Sequence, residues 1–210
     1  RARFPARVLK AVKAAVGDRM AVIAKINVAD GRSKGAHLED GIVTAKVLEA
    51  AGADMLVLSG GRNVESGWFT FGSNMNLEAM LRVLGKWSLS GMAIASTQAA
   101  VPKIEFKELY FWEYSTKIRE AVKLPLARLG GVKSADNVAQ CMAARFEAVQ
   151  LARALLREPD LVNRWRDEGG DSLCDNCNSC VAYIYHPAGT WCIHRPANKL
   201  EDNQVLASVT

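Results

Sequence analysis

The sequence predicts an α/β fold built on a parallel sheet. Short, near-continuous apolar runs alternate with amphipathic helical stretches, and three of those runs end in small or glycine residues followed by polar loops. Alternation of this kind fits either a (β/α)8 barrel or a doubly wound sheet, and four strands are half of what a closed barrel needs.

The elements follow in order. Pro5 to Val16 has apolar residues at helical spacing, and Gly17 stops it. "MAVIAKI", residues 20–26, reads as a strand buried on both faces. A polar loop, Asn27 to Leu38, leads to a helix over about Glu39 to Ala51, ended by Gly52. "DMLVLS", 54–59, is the second strand, closed by Gly60-Gly61. Residues 62–105 read as irregular apart from a short helix near Leu77–Leu84. A helix over Phe106 to Val122 precedes the strand "LPLARL" and Gly130-Gly131. Ser134 is placed to cap a helix over 135–144, "EAVQLA" is the fourth strand, and Glu158-Pro159-Asp160 opens a last helix.

Half of the 210 residues are apolar, enough for a sizeable core, and no apolar run approaches the ~20 residues of a membrane span. The +5 net charge, 27 basic against 22 acidic residues, is scattered and has no basic stripe with interleaved aromatics. Neither nucleic acid nor membrane is therefore an expected partner. Five cysteines without a secretion signal point to a reducing, cytoplasmic compartment and to metal or redox use. The opening "RARFPARVLK", without an initiator Met, is read as a piece of a longer protein or an incomplete gene.

Several residues carry chemistry. Gly130-Gly131, between a strand and a helix, can offer backbone N–H groups to a phosphate; a simple tight turn is the alternative. Arg153, just past a strand end, can hold a phosphate or a flavin ring, or else pair with Glu158. Lys25 is a charge inside an apolar run, and needs an anion, an electron-rich ring, or an ion pair with Asp30 or Glu39. Cys141 reads as a buried small residue, and His37 as a loop residue with no evident partner.

Cys174-x2-Cys177-x2-Cys180-x11-Cys192 has the spacing of a metal or cluster site, because thiolates two residues apart converge from one turn. Three readings are open. They are a [4Fe–4S] cluster, a zinc ion held by these thiols or with His186 or His194 replacing one, and free cysteines.

"AKINVADG", "AGADMLVLSGG", "ELYFWEYSTKIREAVKLPLARLGGVKS" and "LARALLREPDLVNRW" together resemble the old yellow enzyme family of NADH:flavin oxidoreductases, in its 2,4-dienoyl-CoA reductase-like branch. The resemblance implies a (β/α)8 TIM barrel, of which this chain would be the second half, strands 5–8. It divides the chain into a partial FMN-binding barrel, 1–167, and a Cys-rich extension, 168–210. It places Lys25 near the flavin ring and Gly130 and Gly131 on the FMN phosphate. Ala152 and Arg153 fall on phosphate and flavin, and Ser59-Gly60-Gly61 on the substrate side. It also assigns Cys174, Cys177, Cys180 and Cys192 to a [4Fe–4S] cluster. The family's substrate-binding pair precedes this region, so no catalytic residue is assigned here. The implied activity is NAD(P)H-dependent reduction of an activated alkene or similar electrophile.

The alternatives are a non-enzymatic, metal-stapled half-barrel that binds another chain, and a different phosphate-binding barrel enzyme of aldolase type. NAD(P)H and a small-molecule substrate are the expected partners, with a homo-oligomer left open.

Overall fold

The computed structural model describes residues 2–62, 65–99, 101–187 and 189–195. Residues 196–210 of the expected Cys-rich extension lie outside them. The chain packs as two compact units. One comprises residues 1–72, 107–132 and 136–151; the other comprises 73–106, 133–135 and 152–210, described as far as 195.

The first unit holds four parallel strands in the order β1 (Ile23–Asn27), β2 (Met55–Ser59), β3 (Leu126–Leu129), β4 (Ala148–Gln150). Each strand pairs with the next in sequence. A doubly wound sheet reverses its strand order at a switch point, and none occurs among these four, so the winding is consistent with part of a TIM-type barrel. Helix α1 (Arg3–Val16) precedes the sheet, and α2 (Leu38–Ala50) joins β1 to β2. Between β2 and β3 the chain forms α3 (Gly67–Phe71), α4 (Leu77–Leu84), α5 (Leu89–Ala99) and α6 (Trp112–Ala121). Helix α7 (Ala135–Ala143) joins β3 to β4.

Register separates the two faces of the sheet. Lys25, Val57, Ala127 and Ala148 lie side by side in one row, and Ile26, Leu58, Arg128 and Val149 form the next. Adjacent rows face opposite ways. Ile26, Leu58 and Arg128 are buried, as are Leu48 of α2 and Ile118 of α6. Three carboxylates fasten the N-terminal ends of the strands. Asp54 accepts from the Val22 N–H at 2.6 Å and pairs with Lys13 at 2.9 Å. Glu49 accepts from the N–H groups of Lys123 and Leu124, and Glu147 from that of Leu126.

Three expectations change. β1 is an edge strand rather than a strand buried on both faces: Ile23, Lys25 and Asn27 are exposed. The stretch read as irregular contains α3 and α5 besides α4. The helix expected from Phe106 begins only at Trp112, because Leu109 sits at φ +51° and spends its N–H on the Gly131 carbonyl.

In the second unit, α8 (Arg153–Arg157) and α9 (Leu161–Asp167) precede the cysteines, and α10 (Ser179–Ala182) carries Cys180. Ala182 packs with Ala79 and Met80 of α4, joined by Met75 and Ile94, as a small apolar core. Among the described residues no helix is long and apolar enough to cross a membrane.

Candidate active site

The strand ends in the first unit are tied together by backbone bonds. Val28 N–H donates to Ser59 O at 2.6 Å, and Gly61 N–H to Ala29 O at 2.9 Å. The Asn27 amide donates to Gly61 O and to Asp30 Oδ1. Asp30 therefore serves the loop, and among the described residues Lys25 forms no ion pair with it or with Glu39. Lys25 is solvent-exposed and lines a cavity of about 850 Å3 along β1 between α1 and α2. His37, unassigned in the sequence, caps α2: its N–H donates to Asp40 Oδ2 at 3.0 Å, and the α2 backbone donates back to its ring.

Gly130 and Gly131 follow β3 at φ +101° and +75°. Both conformations are cheap only for glycine. Space matters too. A Cβ on Gly130 would stand 2.8 Å from the Phe111 ring, and one on Gly131 would stand 2.5 Å from Leu109 N. Close packing is thus one reason for the glycine pair. A second cavity, of about 800 Å3, lies among the loop after β1, α3 and α6; Trp68, Phe69 and Tyr114 line it together with Arg32, His37 and Lys117.

The thiols lie in the second unit. All four are partly buried and free of disulfides. The turn that presents them uses Asn176 and Asn178 at φ +59° and +58°, a conformation asparagine tolerates better than most residues. Asn178 is buried and anchors the turn, donating to Ser73 Oγ at 3.0 Å and to Asn74 O at 2.8 Å. Asn76 donates to Ser179 Oγ at 2.8 Å. Upstream, the buried Glu158 accepts from Leu173 N–H at 2.6 Å, from Ser172 Oγ at 2.8 Å and from Arg164 at 2.6 Å. Glu158 thus pairs with Arg164 and not with Arg153. Downstream, Trp191 stacks on Tyr183 at 4.0 Å, which brings Cys192 back.

Cys180 lies within electrostatic reach of the other three thiols. Burial pushes its pKa up to about 11; Arg153 opposes this, while Cys174, Cys177 and Cys192 each add to it. Burial likewise raises Cys174 and Cys192, with Arg153 and Arg157 respectively pulling down. Arg153 also hydrogen-bonds Asn178. The expected zinc reading has a definite spacing. Four thiolates on one tetrahedral zinc stand only about 3.8 Å apart, from a Zn–S bond of about 2.3 Å. No three of these sulfurs come within 4.8 Å of one another; among the described residues the group that does is Asp175, Cys177 and His194. There His194 Nε2 lies 3.2 Å from Asp175 Oδ2 and 3.8 Å from Cys177 Sγ.

Comparison with known proteins adds a chemical context. No family model matches the chain. Over 199 residues it is 36% identical to the 4,4'-dithiodibutanoate disulfide reductase of Rhodococcus erythropolis, covering 94% of this chain and 49% of that protein. The chain spans about half the length of that relative. A solved 2-naphthoyl-CoA reductase in complex with 2-naphthoyl-CoA superimposes with a TM-score of 0.64 at 19% identity, over 96% of this chain and 26% of that one. That likeness speaks for the fold alone.

Sequence reasoning missed Arg128, the largest fully buried side chain among the described residues. The signal was available: a cation inside "LPLARL", the same anomaly that singled out Lys25.

Proposed function

We propose that the protein is an FMN-dependent oxidoreductase passing hydride from NAD(P)H to a small electrophilic substrate, an activated alkene or a disulfide. The observation that carries this reading is the alignment, over nearly the whole chain, with a protein named as a disulfide reductase. It is supported by the strand-end set: an ammonium at Lys25 that forms no ion pair among the described residues, and two consecutive left-handed glycines after β3. For a disulfide the net reaction is NAD(P)H + H+ + R–S–S–R giving NAD(P)+ + 2 R–SH.

When bound, FMN supplies the two-electron carrier between nicotinamide and substrate. Lys25 offers a positive charge at the cavity along β1, which favours an electron-rich ring there. Gly130 and Gly131 offer backbone N–H groups to a phosphate without side-chain obstruction. Ala152 and Arg153 are assigned to the phosphate side by the resemblance; the bond from Arg153 to Asn178 ties it equally to the thiols. Arg32 and Lys117, in the aromatic-lined cavity, suit a substrate carboxylate. Cys174, Cys177, Cys180 and Cys192 would hold a [4Fe–4S] cluster as an electron carrier.

The test is anaerobic purification followed by release and identification of the chromophore, with NAD(P)H oxidation followed against a dicarboxylate disulfide. A folded, colourless protein refutes the proposal. The second reading, a zinc-stapled binding module, is favoured by the Asp175–Cys177–His194 spacing. Zinc without iron or acid-labile sulfide would establish it.

A further inference from the structure

Arg128 has no exposed surface. Its Nη1 donates to Gly130 O at 3.2 Å and its Nη2 to Leu109 O at 2.7 Å. The guanidinium lies 5.1 Å from the Trp112 ring centroid, and the Cys141 thiol and the Tyr110 phenol also interact with it. Its Nε is buried without a hydrogen-bond partner, and among the described residues it has no carboxylate in salt-bridge reach. Burial lowers its pKa, yet a guanidinium starts so high that it stays charged. A buried charge without a counter-ion is costly. This one sits two residues from the glycine pair.

Peptide geometry says what the contact accomplishes. C=O and N–H point in opposite directions across a trans peptide. With the Gly130 carbonyl turned inward to Arg128, the Gly131 N–H is turned outward. The Gly131 carbonyl accepts from Leu109 N–H at 3.0 Å, so the next N–H, of Val132, points away from Leu109. One guanidinium thus fixes both sides of the turn, through Gly130 and Leu109.

We propose that Arg128 is a positioning residue for an anion at the Gly130–Gly131 turn: it holds the Gly130 carbonyl inward so that the N–H groups beyond it face the ligand, and its uncompensated charge favours a phosphate monoester there. The inference rests on the flavin reading for the identity of that monoester, FMN.

The experiment compares FMN with riboflavin, which lacks only the phosphate. Apoprotein is titrated with each, by quenching of flavin fluorescence, for wild type, Arg128→Met and Arg128→Lys. Charge-assisted hydrogen bonds are strong enough that Arg128→Met is expected to bind FMN about tenfold or more weaker, with riboflavin changed by less than about threefold. Arg128→Lys keeps the charge and is expected to recover part of the loss. Equal losses of both ligands, the mark of a merely structural role, overturn the proposal, as does unchanged FMN affinity. Should Arg128→Met fail to fold, Arg128→Lys, which cannot hold both carbonyls, carries the same comparison. If wild type binds no flavin, the flavin reading fails and inorganic phosphate decides on Arg128. A melting temperature raised by phosphate in wild type but not in Arg128→Lys upholds the site, and no difference overturns it.

Discussion

Glu158 offers the sharpest test of how the cysteine turn is held. Its carboxylate receives one ionic bond, from Arg164, and two neutral ones, from the Ser172 hydroxyl and the Leu173 N–H. The residue is only 8% exposed. Truncation to alanine strands three donors. Two neutral bonds at about 1 kcal/mol each and one ionic bond at about 1.5–3 kcal/mol give an expected loss of about 3–5 kcal/mol. Glu158→Gln keeps an acceptor but not the charge, and is expected to cost about 1–2 kcal/mol. The damage should spread to the thiols, because the Ser172 hydroxyl also accepts from Cys174 N–H at 3.2 Å. Burial pushes the Glu158 pKa up, but the bonds from Ser172, Arg164 and Leu173 outweigh it and leave it below the usual value. A lowered folded pKa means stability that is present above the ordinary glutamate pKa and lost as pH falls through the folded value. Urea unfolding across pH 3–7 would show that acid slope in wild type and a shallower one in Glu158→Gln, since Asp54 still contributes its own. A Glu158→Ala protein within about 0.5 kcal/mol of wild type at neutral pH would refute the reasoning, since surface changes fall in that range.

Other outcomes are expected. Gly131→Ala forces a Cβ toward Leu109 N at φ +75° and should destabilise by more than about 1 kcal/mol, read as a lowered melting temperature. Lys25→Met, at an exposed and unpaired position, should leave stability within about 0.5 kcal/mol. The same variant should make the bound flavin's reduction potential more negative in a spectroelectrochemical titration, because a cation beside the ring favours the reduced anion. If the proposed cluster is present, Cys180→Ser removes one of its four proposed ligands and should lower iron content while leaving flavin content intact.

Much of the fold was legible in sequence, because a strand flanked by helices declares itself through a short apolar run. The limits show in two cations. Lys25 in "AVIAKI" and Arg128 in "LPLARL" present the same pattern, yet one is exposed and the other fully buried. The difference lies in place: Lys25 sits on the outermost strand of this four-stranded sheet and is exposed, whereas Arg128 sits on an inner strand and packs beside Trp112 of α6. Strand order and face are tertiary properties, and a run of apolar residues does not encode them. Helix α5 escaped notice because its serine, threonine and glycine residues blur the period; Ser88 Oγ, accepting from Gly91 N–H at 2.9 Å, helps to start it. The cysteine spacing was plain, but the means of closing the turn was not. Two left-handed asparagines and a Tyr183–Trp191 stack do that work, and neither has a spacing to read.

The proposed function requires a reducible flavin. Adding NAD(P)H without oxygen to the purified protein, then a dicarboxylate disulfide, tests it most directly. The expected result is bleaching of a yellow chromophore identified on release as FMN, and its recovery as free thiol accumulates. A protein that is folded, colourless and unresponsive to reductant would contradict it.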